Sequence, residues 1–121
     1  MFGEKKKKKD LNYLKLTPVR LHECKVKDDG LADVLVPKFN NKFARKHFSK
    51  FLKSPYIRAN LDDKGSATWL LMDGETKVEE IAEELDEKFG EEIHPVTDRL
   101  IKFLNDLYRN GFITFKELKK G

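Results

Sequence analysis

The spacing of the apolar residues changes near Leu61, and this change limits the possible folds more than any other feature of the sequence. From Tyr56 to Leu61 the side chains alternate between two faces, which is the two-residue period of a strand. After Asp62 apolar residues recur at spacings of three and four, which is the period of amphipathic helices. Strands that are followed by helices predict an α+β fold.

Two more strands are predicted ahead of this change. Residues 19–26 alternate between two faces, and an apolar run at 31–36 follows the Asp-Asp-Gly sequence at 28–30. Because an Asp-Gly pair between two such runs favours a tight turn, the two segments are predicted to form a hairpin. Pro37 ends the second strand, since proline has no N–H for the ladder. With residues 56–61 these segments predict a three-stranded antiparallel sheet.

Helix boundary residues divide the remainder, residues 62–115, into a three-helix module. Asp62 is the predicted N-cap of the first helix. Thr76 and Glu79 have the T-x-x-E spacing of a capping box and are predicted to begin the second helix. The other predicted boundaries are Asp73-Gly74 after the first helix, Gly90 after the second, Pro95 and Asn110-Gly111 around the third, and a short last strand at 112–115.

Charge divides the chain into two parts. The formal net charge of +4 is the balance of about +10 in residues 1–58 and about −6 in residues 59–121. The lysine-rich residues 1–10 are predicted to be a disordered tail, because they are too polar and too alike in charge to fold alone. Residues 38–54 are predicted to be a basic amphipathic insertion, and 11–121 to be a single domain.

The sequence gives no sign of an enzyme or of a membrane-spanning protein. No stretch approaches the roughly 18 apolar residues of a membrane span, and no apolar core of a signal peptide follows the lysines, so a cytoplasmic location is expected. Cys24 is the only cysteine, which excludes an internal disulfide. His22, His47 and His94 lie in different predicted elements without metal-ligand spacing. We therefore expect no catalytic residues, no metal and no cofactor.

A binding function is what remains, and the charge pattern bears on the partner. Three helices and a strand are compatible with a winged helix, but the exposed positions of the third helix carry almost no net charge and the second helix is acidic. A nucleic-acid partner is therefore not favoured. The alternative hypothesis is a winged-helix-like protein that binds nucleic acid or an anionic surface through the basic segment 38–58.

The second half of the sequence resembles the PqqD family, named for a small protein of pyrroloquinoline quinone biosynthesis. The resemblance lies in YIRANLDDKGSATWLLMDGETKVEEIAEELDEKFG from Tyr56 and in PVTDRLIKFLNDLYRNGFI from Pro95. The basic insertion and the lysine tail depart from the short form of the family. The resemblance implies three antiparallel strands followed by a three-helix, winged-helix-like module, which agrees with the fold predicted from periodicity.

The resemblance also implies a function. PqqD-like domains are non-catalytic recognition elements that bind the leader segment of a ribosomally made precursor peptide. They present it to a modifying enzyme, often a radical S-adenosylmethionine protein. The peptide is added as a strand to an exposed sheet edge, with its side chains against a helix. The expected edge consists of Tyr56, Ile57, Arg58, Ala59 and Asn60.

The helix that faces the peptide is predicted less sharply. We expect the third helix to supply it, through Arg99, Leu100, Phe103 and Leu104, with Ile101 and Tyr108 as the alternative face. Arg58 is a candidate partner for an acidic leader residue. A proline at position 59 is expected to weaken peptide binding, because it removes one backbone donor from the strand.

Overall fold

The computed structural model describes residues 13–37 and 56–118. The predicted tail at 1–10 and the basic insertion at 38–54 lie outside these residues. The described elements, in chain order, are β1 Pro18–Arg20, β2 Cys24–Val26, β3 Ala32–Pro37, β4 Tyr56–Asn60, α1 Asp63–Leu71, α2 Val78–Phe89, α3 Val96–Arg109 and β5 Ile113–Phe115, with 3-10 turns at Gly90–Ile93 and Lys116–Leu118. The predicted α+β fold is confirmed, with a three-stranded antiparallel sheet followed by three helices.

The strands belong to two sheets, and this corrects one prediction. The order of the larger sheet is β2-β3-β4, whereas β1 pairs with β5 in a separate two-stranded sheet. A single strand over residues 19–26 is therefore wrong. Val19 pairs with Thr114 and Cys24 pairs with Val34, so the segment changes partner between them. Alternation along the chain does not reveal this change, because the partner of β1 lies more than 90 residues away.

The predicted hairpin between β2 and β3 is confirmed. Its turn is closed by two backbone bonds, from Lys27 N to the Leu31 carbonyl and from Gly30 N to the Lys27 carbonyl. Gly30 has a φ of +87°, a conformation that glycine adopts without steric cost. The Asp29 carboxylate accepts the Leu31 N–H at 3.0 Å. The turn residues therefore fix the register in which β2 and β3 pair.

The chain divides into two compact units, His22–Ser66 and Met1–Leu21 with Ala67–Gly121. In the first, β4 leads into α1 through a buried hydroxyl. The Ser66 Oγ accepts the Ala32 N–H at 2.8 Å and donates to the Leu61 carbonyl at 3.2 Å. The Asp62 carboxylate accepts the Gly65 N–H at 2.7 Å, which confirms Asp62 as the cap of α1. These bonds satisfy backbone groups at the point where the sheet ends and the helix begins.

The apolar core formed by the three helices lies in the second unit. Its fully buried side chains include Trp69, Met72, Val78, Ile81, Leu85, Leu104 and Ile113. The Trp69 ring meets the Phe112 ring edge to face, with centroids 6.5 Å apart. The predicted last strand is confirmed as β5, and the Leu21 N–H donates to the Phe112 carbonyl beside it. Leu21, just after β1, and Phe112, just before β5, are thus joined within one unit.

The start of α2 differs from the prediction by one residue. The N-cap of α2 is Lys77, whose N–H donates to the Glu80 carboxylate at 2.9 Å, so the capping box expected from Thr76 and Glu79 is wrong. Thr76 is instead bound by Asp73, which accepts its N–H and its hydroxyl, each at 2.9 Å. The T-x-x-E spacing alone cannot show that the Asp73 carboxylate binds the N–H and the hydroxyl of Thr76.

The other helix ends follow the sequence closely. Gly90 ends α2 and Gly111 follows α3, with φ values of +61° and +80°. Pro95 was predicted as the first residue of α3. It is the N-cap instead, so the helix begins one residue later, at Val96. Asn110 donates its backbone N–H to the Asp106 carbonyl and so closes the last turn.

Replacement of Ser66 by alanine should lower the free energy of unfolding by about 1–3 kcal/mol, because the Ala32 N–H and the Leu61 carbonyl lose a buried partner. Urea denaturation of the two proteins measures this difference. A loss below about 0.5 kcal/mol, the usual range of surface substitutions, would contradict the role assigned to the hydroxyl.

Candidate functional site

The outer edge of β4 is the first candidate site. One side of β4 pairs with β3, and on its other side no strand of the described residues pairs with it. The side chains of Tyr56, Ile57, Arg58 and Asn60 are exposed, and that of Ala59 is half-buried. An edge strand presents unpaired backbone donors and acceptors, so it is able to accept a further strand.

The register identifies the backbone groups that point outward. The Leu61 N–H donates to the Ala32 carbonyl, while the Leu35 N–H donates to the carbonyl of Glu23, the residue before β2. Since hydrogen-bonded and non-hydrogen-bonded pairs alternate along an antiparallel ladder, Ala59 directs its N–H toward β3. Arg58 and Asn60 therefore direct their backbone groups away from β3, toward the open edge.

This result changes the expected effect of a proline in β4. The sequence predicted that proline at position 59 would remove a donor from the peptide-binding edge. In the structure the Ala59 N–H belongs to the ladder with Val34, so that substitution would break the sheet itself. Position 58 is where a proline removes an outward N–H.

A buried carboxylate fixes one face of this edge. Asp33 is 2% exposed, and its side chain accepts the Asn60 amide at 2.7 Å. Lys27 Nζ lies 3.4 Å from Asp33 Oδ1, and Arg58 Nη1 lies 3.6 Å from Oδ2. The Asn60 hydrogen bond and the two cations lower the pKa of Asp33 below its ordinary value, although burial opposes them. The carboxylate therefore ties β4 to β3 through side chains as well as through the backbone.

The opposite face of the edge is apolar. Ile57 pairs with Val36 and Ala59 pairs with Val34, so these four side chains lie on one face. Val34 is fully buried, whereas Ile57 is 56% exposed at the outer strand. A strand added beside β4 would therefore find polar groups on one face and the Ile57 side chain on the other.

The residues predicted on the third helix differ in their exposure. Leu100 is 3% exposed and Leu104 is fully buried, so both belong to the core of the helical unit. Phe103 is half-buried. Arg99 is exposed, and its Nη1 donates to the Glu92 carbonyl at 3.0 Å. Of the four, only Arg99 and Phe103 have side-chain surface for a ligand. The strand and the helix residues lie in different compact units.

The alternative face, around Tyr108, opens on a cavity in the helical unit. The cavity has a volume of about 510 Å³ and is lined by Tyr13, Lys15, Leu16, Asn105, Tyr108, Phe115, Glu117 and Leu118. The Phe115 ring lies 5.6 Å from the Tyr13 ring and 5.5 Å from the Tyr108 ring. Ile101 faces a different surface, with Asp98 and Lys102. Sequence reasoning found Tyr108 but missed Tyr13, which reaches the cavity from the other end of the chain.

The polar groups of this cavity are bound to neighbours. The Tyr13 hydroxyl donates to the Asn105 side chain at 3.4 Å, and burial raises the pKa of Tyr13 to about 12, so it stays a neutral donor. The Glu117 carboxylate accepts the N–H and the hydroxyl of Thr17, each at 2.8 Å. Its pKa is lowered by these bonds, although burial raises it. The arrangement supports apolar binding rather than acid–base chemistry.

The described residues contain no group of three or more histidine, cysteine, aspartate or glutamate side chains placed to hold a metal ion. Cys24, in β2, is a half-buried free thiol. None of the helices in residues 13–37 and 56–118 is long and apolar enough to cross a membrane.

Residues 57–113 match the family described as Coenzyme PQQ synthesis protein D (PqqD). The matched segment runs from β4 to the first residue of β5 and contains all of α1, α2 and α3. It supports membership of the PqqD family and confirms the resemblance found in the sequence. No curated protein and no solved structure matches the chain.

The Asp33 carboxylate should make stability depend on pH. Because its pKa is lowered in the folded protein, its contribution is present above the unfolded value near 3.9 and is lost as the pH falls through the folded value. Between about pH 5 and pH 3 the wild-type free energy of unfolding should fall more steeply than that of Asp33→Asn. Urea denaturation across this range measures both, with Asp28→Asn, in the exposed turn, as the control. Parallel curves for wild type and Asp33→Asn would show that Asp33 does not act in this way.

Proposed function

We propose that this protein is a non-catalytic adaptor of the PqqD family that captures the leader segment of a ribosomally made precursor peptide. The peptide is added as a strand beside β4 and is presented to a modifying enzyme. The observation that carries the proposal is the outer edge of β4, with which no strand of the described residues pairs, in a segment that matches the PqqD family over residues 57–113.

The backbone of β4 supplies most of the affinity in this mechanism. Arg58 and Asn60 direct their N–H and carbonyl groups outward. An extended peptide can therefore pair with them, in either a parallel or an antiparallel direction, and become a fourth strand of the sheet. Backbone pairing is indifferent to the peptide's sequence, and selectivity comes from every second side chain on each face. The Asn60 side chain is held by Asp33, so this part of the edge is ordered before the peptide arrives.

The pathway is proposed from the family alone. The description of the matched family refers to coenzyme PQQ synthesis, so the proposed substrate is a precursor peptide of a pyrroloquinoline quinone-like pathway. The proposed partner is its modifying enzyme, of the radical S-adenosylmethionine class. The chain itself contributes binding and orientation of the peptide, not a chemical step.

A nucleic-acid function is not favoured by the described surface. The exposed side of α3 carries three basic and two acidic residues, a net charge of +1, and Lys102 lies 3.8 Å from Asp106 of the same helix. The neighbouring helix α2 has acidic residues along its exposed side and a single basic residue, Lys88. Both features oppose contact with phosphates. The alternative hypothesis depends on the basic segment 38–58, of which residues 38–55 lie outside the described residues.

Replacement of Arg58 by proline should abolish peptide binding and leave the sheet folded, because it removes an N–H that points to the open edge and none that pairs with β3. Arg58→Ala, which keeps the N–H and loses the same side chain, should bind at least ten times more tightly than Arg58→Pro. Titration of the labelled protein with leader peptides encoded beside its gene, followed by NMR, measures both variants.

The same titration tests the location of the site. Shifts should concentrate in β4 and in its partner β3. Equal affinity of Arg58→Pro and Arg58→Ala, or shifts that avoid both strands, would refute strand addition at this edge. Hydrogen exchange of the β3 amides shows independently that the proline variant keeps its sheet.

A further inference from the structure

We infer that Arg58 selects peptides that carry an acidic residue, flanked on both sides by apolar residues, at the position opposite to it in the added strand. This inference rests on the proposed strand addition and adds to it the side-chain chemistry of the ligand. It assigns Arg58 as the residue that determines specificity at the open edge.

The Arg58 side chain has capacity for a second anion. It is 52% exposed, and its Nη1 lies 3.6 Å from the Asp33 carboxylate, whereas the Asn60 amide reaches the same carboxylate at 2.7 Å. A guanidinium carries five N–H donors in a planar fork, which suits two-point contact with a carboxylate. The contact with Asp33 orients the arginine but does not saturate it.

The charges on this face of the sheet favour an anion. Lys27 and Arg58 both contact the buried Asp33 carboxylate, so two cations share one carboxylate. Glu23 lies in the same row as Arg58, with Leu35 between them. Two strand spacings separate them by roughly 10 Å, where salt screens most of the interaction between exposed charges. The open edge at Arg58 therefore has a local excess of positive charge.

The direction of the peptide does not alter which face it presents. In either a parallel or an antiparallel ladder, the residue opposite Arg58 directs its side chain to the face that carries Arg58 and Asp33. The residues before and after it direct theirs to the other face, where Ile57 is 56% exposed. An apolar–acidic–apolar sequence thus matches both faces of the edge at once.

A displayed library of random twelve-residue peptides, selected on the full chain, tests this inference. Selected peptides should share an acidic residue between two apolar ones. One such peptide and its Asp→Asn or Glu→Gln counterpart are then titrated against wild type and Arg58→Gln. The acid should strengthen binding to wild type about two- to fivefold, the range of an exposed ion pair, and this advantage should disappear in Arg58→Gln.

Lys25→Gln is the matched control, because it removes one positive charge from the same face of the sheet, two strands away from β4. It should keep the preference for the acid. Loss of the preference in Lys25→Gln to the same extent would show that the net charge of the face is responsible, and the assignment to Arg58 would be wrong. Lysine in place of the peptide's acid should weaken binding to wild type more than the amide does, a measurement that needs no variant protein.

The outcomes separate this inference from the proposed function. Selected peptides that bind at β4 without an acidic preference, or with one that Arg58→Gln retains, would overturn the role of Arg58 and leave strand addition intact. A selection that yields no binding peptide would overturn both.

Discussion

The buried carboxylate of Asp33 is the interaction on which the candidate site depends. It lies in the central strand of the sheet and accepts contacts from Lys27 beyond β2 and from Asn60 and Arg58 in β4. A buried charge is stable only with such partners, so the three strands cannot change register without loss of that compensation. The register in turn decides which N–H groups of β4 pair with β3 and which point outward.

The same register separates two kinds of recognition. Outward backbone groups of Arg58 and Asn60 offer general affinity for any extended chain, and their side chains differ from those of Ile57 and Ala59 in polarity. Because strand side chains alternate between faces, an added strand would pair with the β4 backbone in the plane of the sheet and place its side chains on the two faces of the sheet. Under the proposed function, this division would let the edge of β4 bind extended peptides through its backbone and select among them through side chains.

The helical unit is held by contacts between residues 13–20 and residues 113–117. β1 pairs with β5, the Thr17 hydroxyl meets the Glu117 carboxylate, and Tyr13 packs on Phe115. The Leu14 and Leu16 carbonyls accept the first N–H groups of α2, from Glu79 and Val78. These long-range contacts form the walls of the aromatic cavity and leave Leu100 and Leu104 in the core, so Tyr108 rather than those leucines reaches its surface.

Local signals in the sequence determined the order of strands and helices, the hairpin at Gly30, the cap at Asp62 and the helix ends at Gly90 and Asn110-Gly111, since turns and caps depend on residues close together in the chain. They also identified the edge strand at residues 56–60 and revealed the resemblance to the PqqD family. Only the tertiary structure decided that residues 19–26 divide between two sheets. It also decided that the Thr76 hydroxyl binds Asp73, so that Thr76 does not cap α2. The register of β4 with β3 decided that the N–H of residue 58, and not that of residue 59, points outward. Each of these depends on a partner's position or on the register of a ladder, and periodicity along one segment carries no information about either.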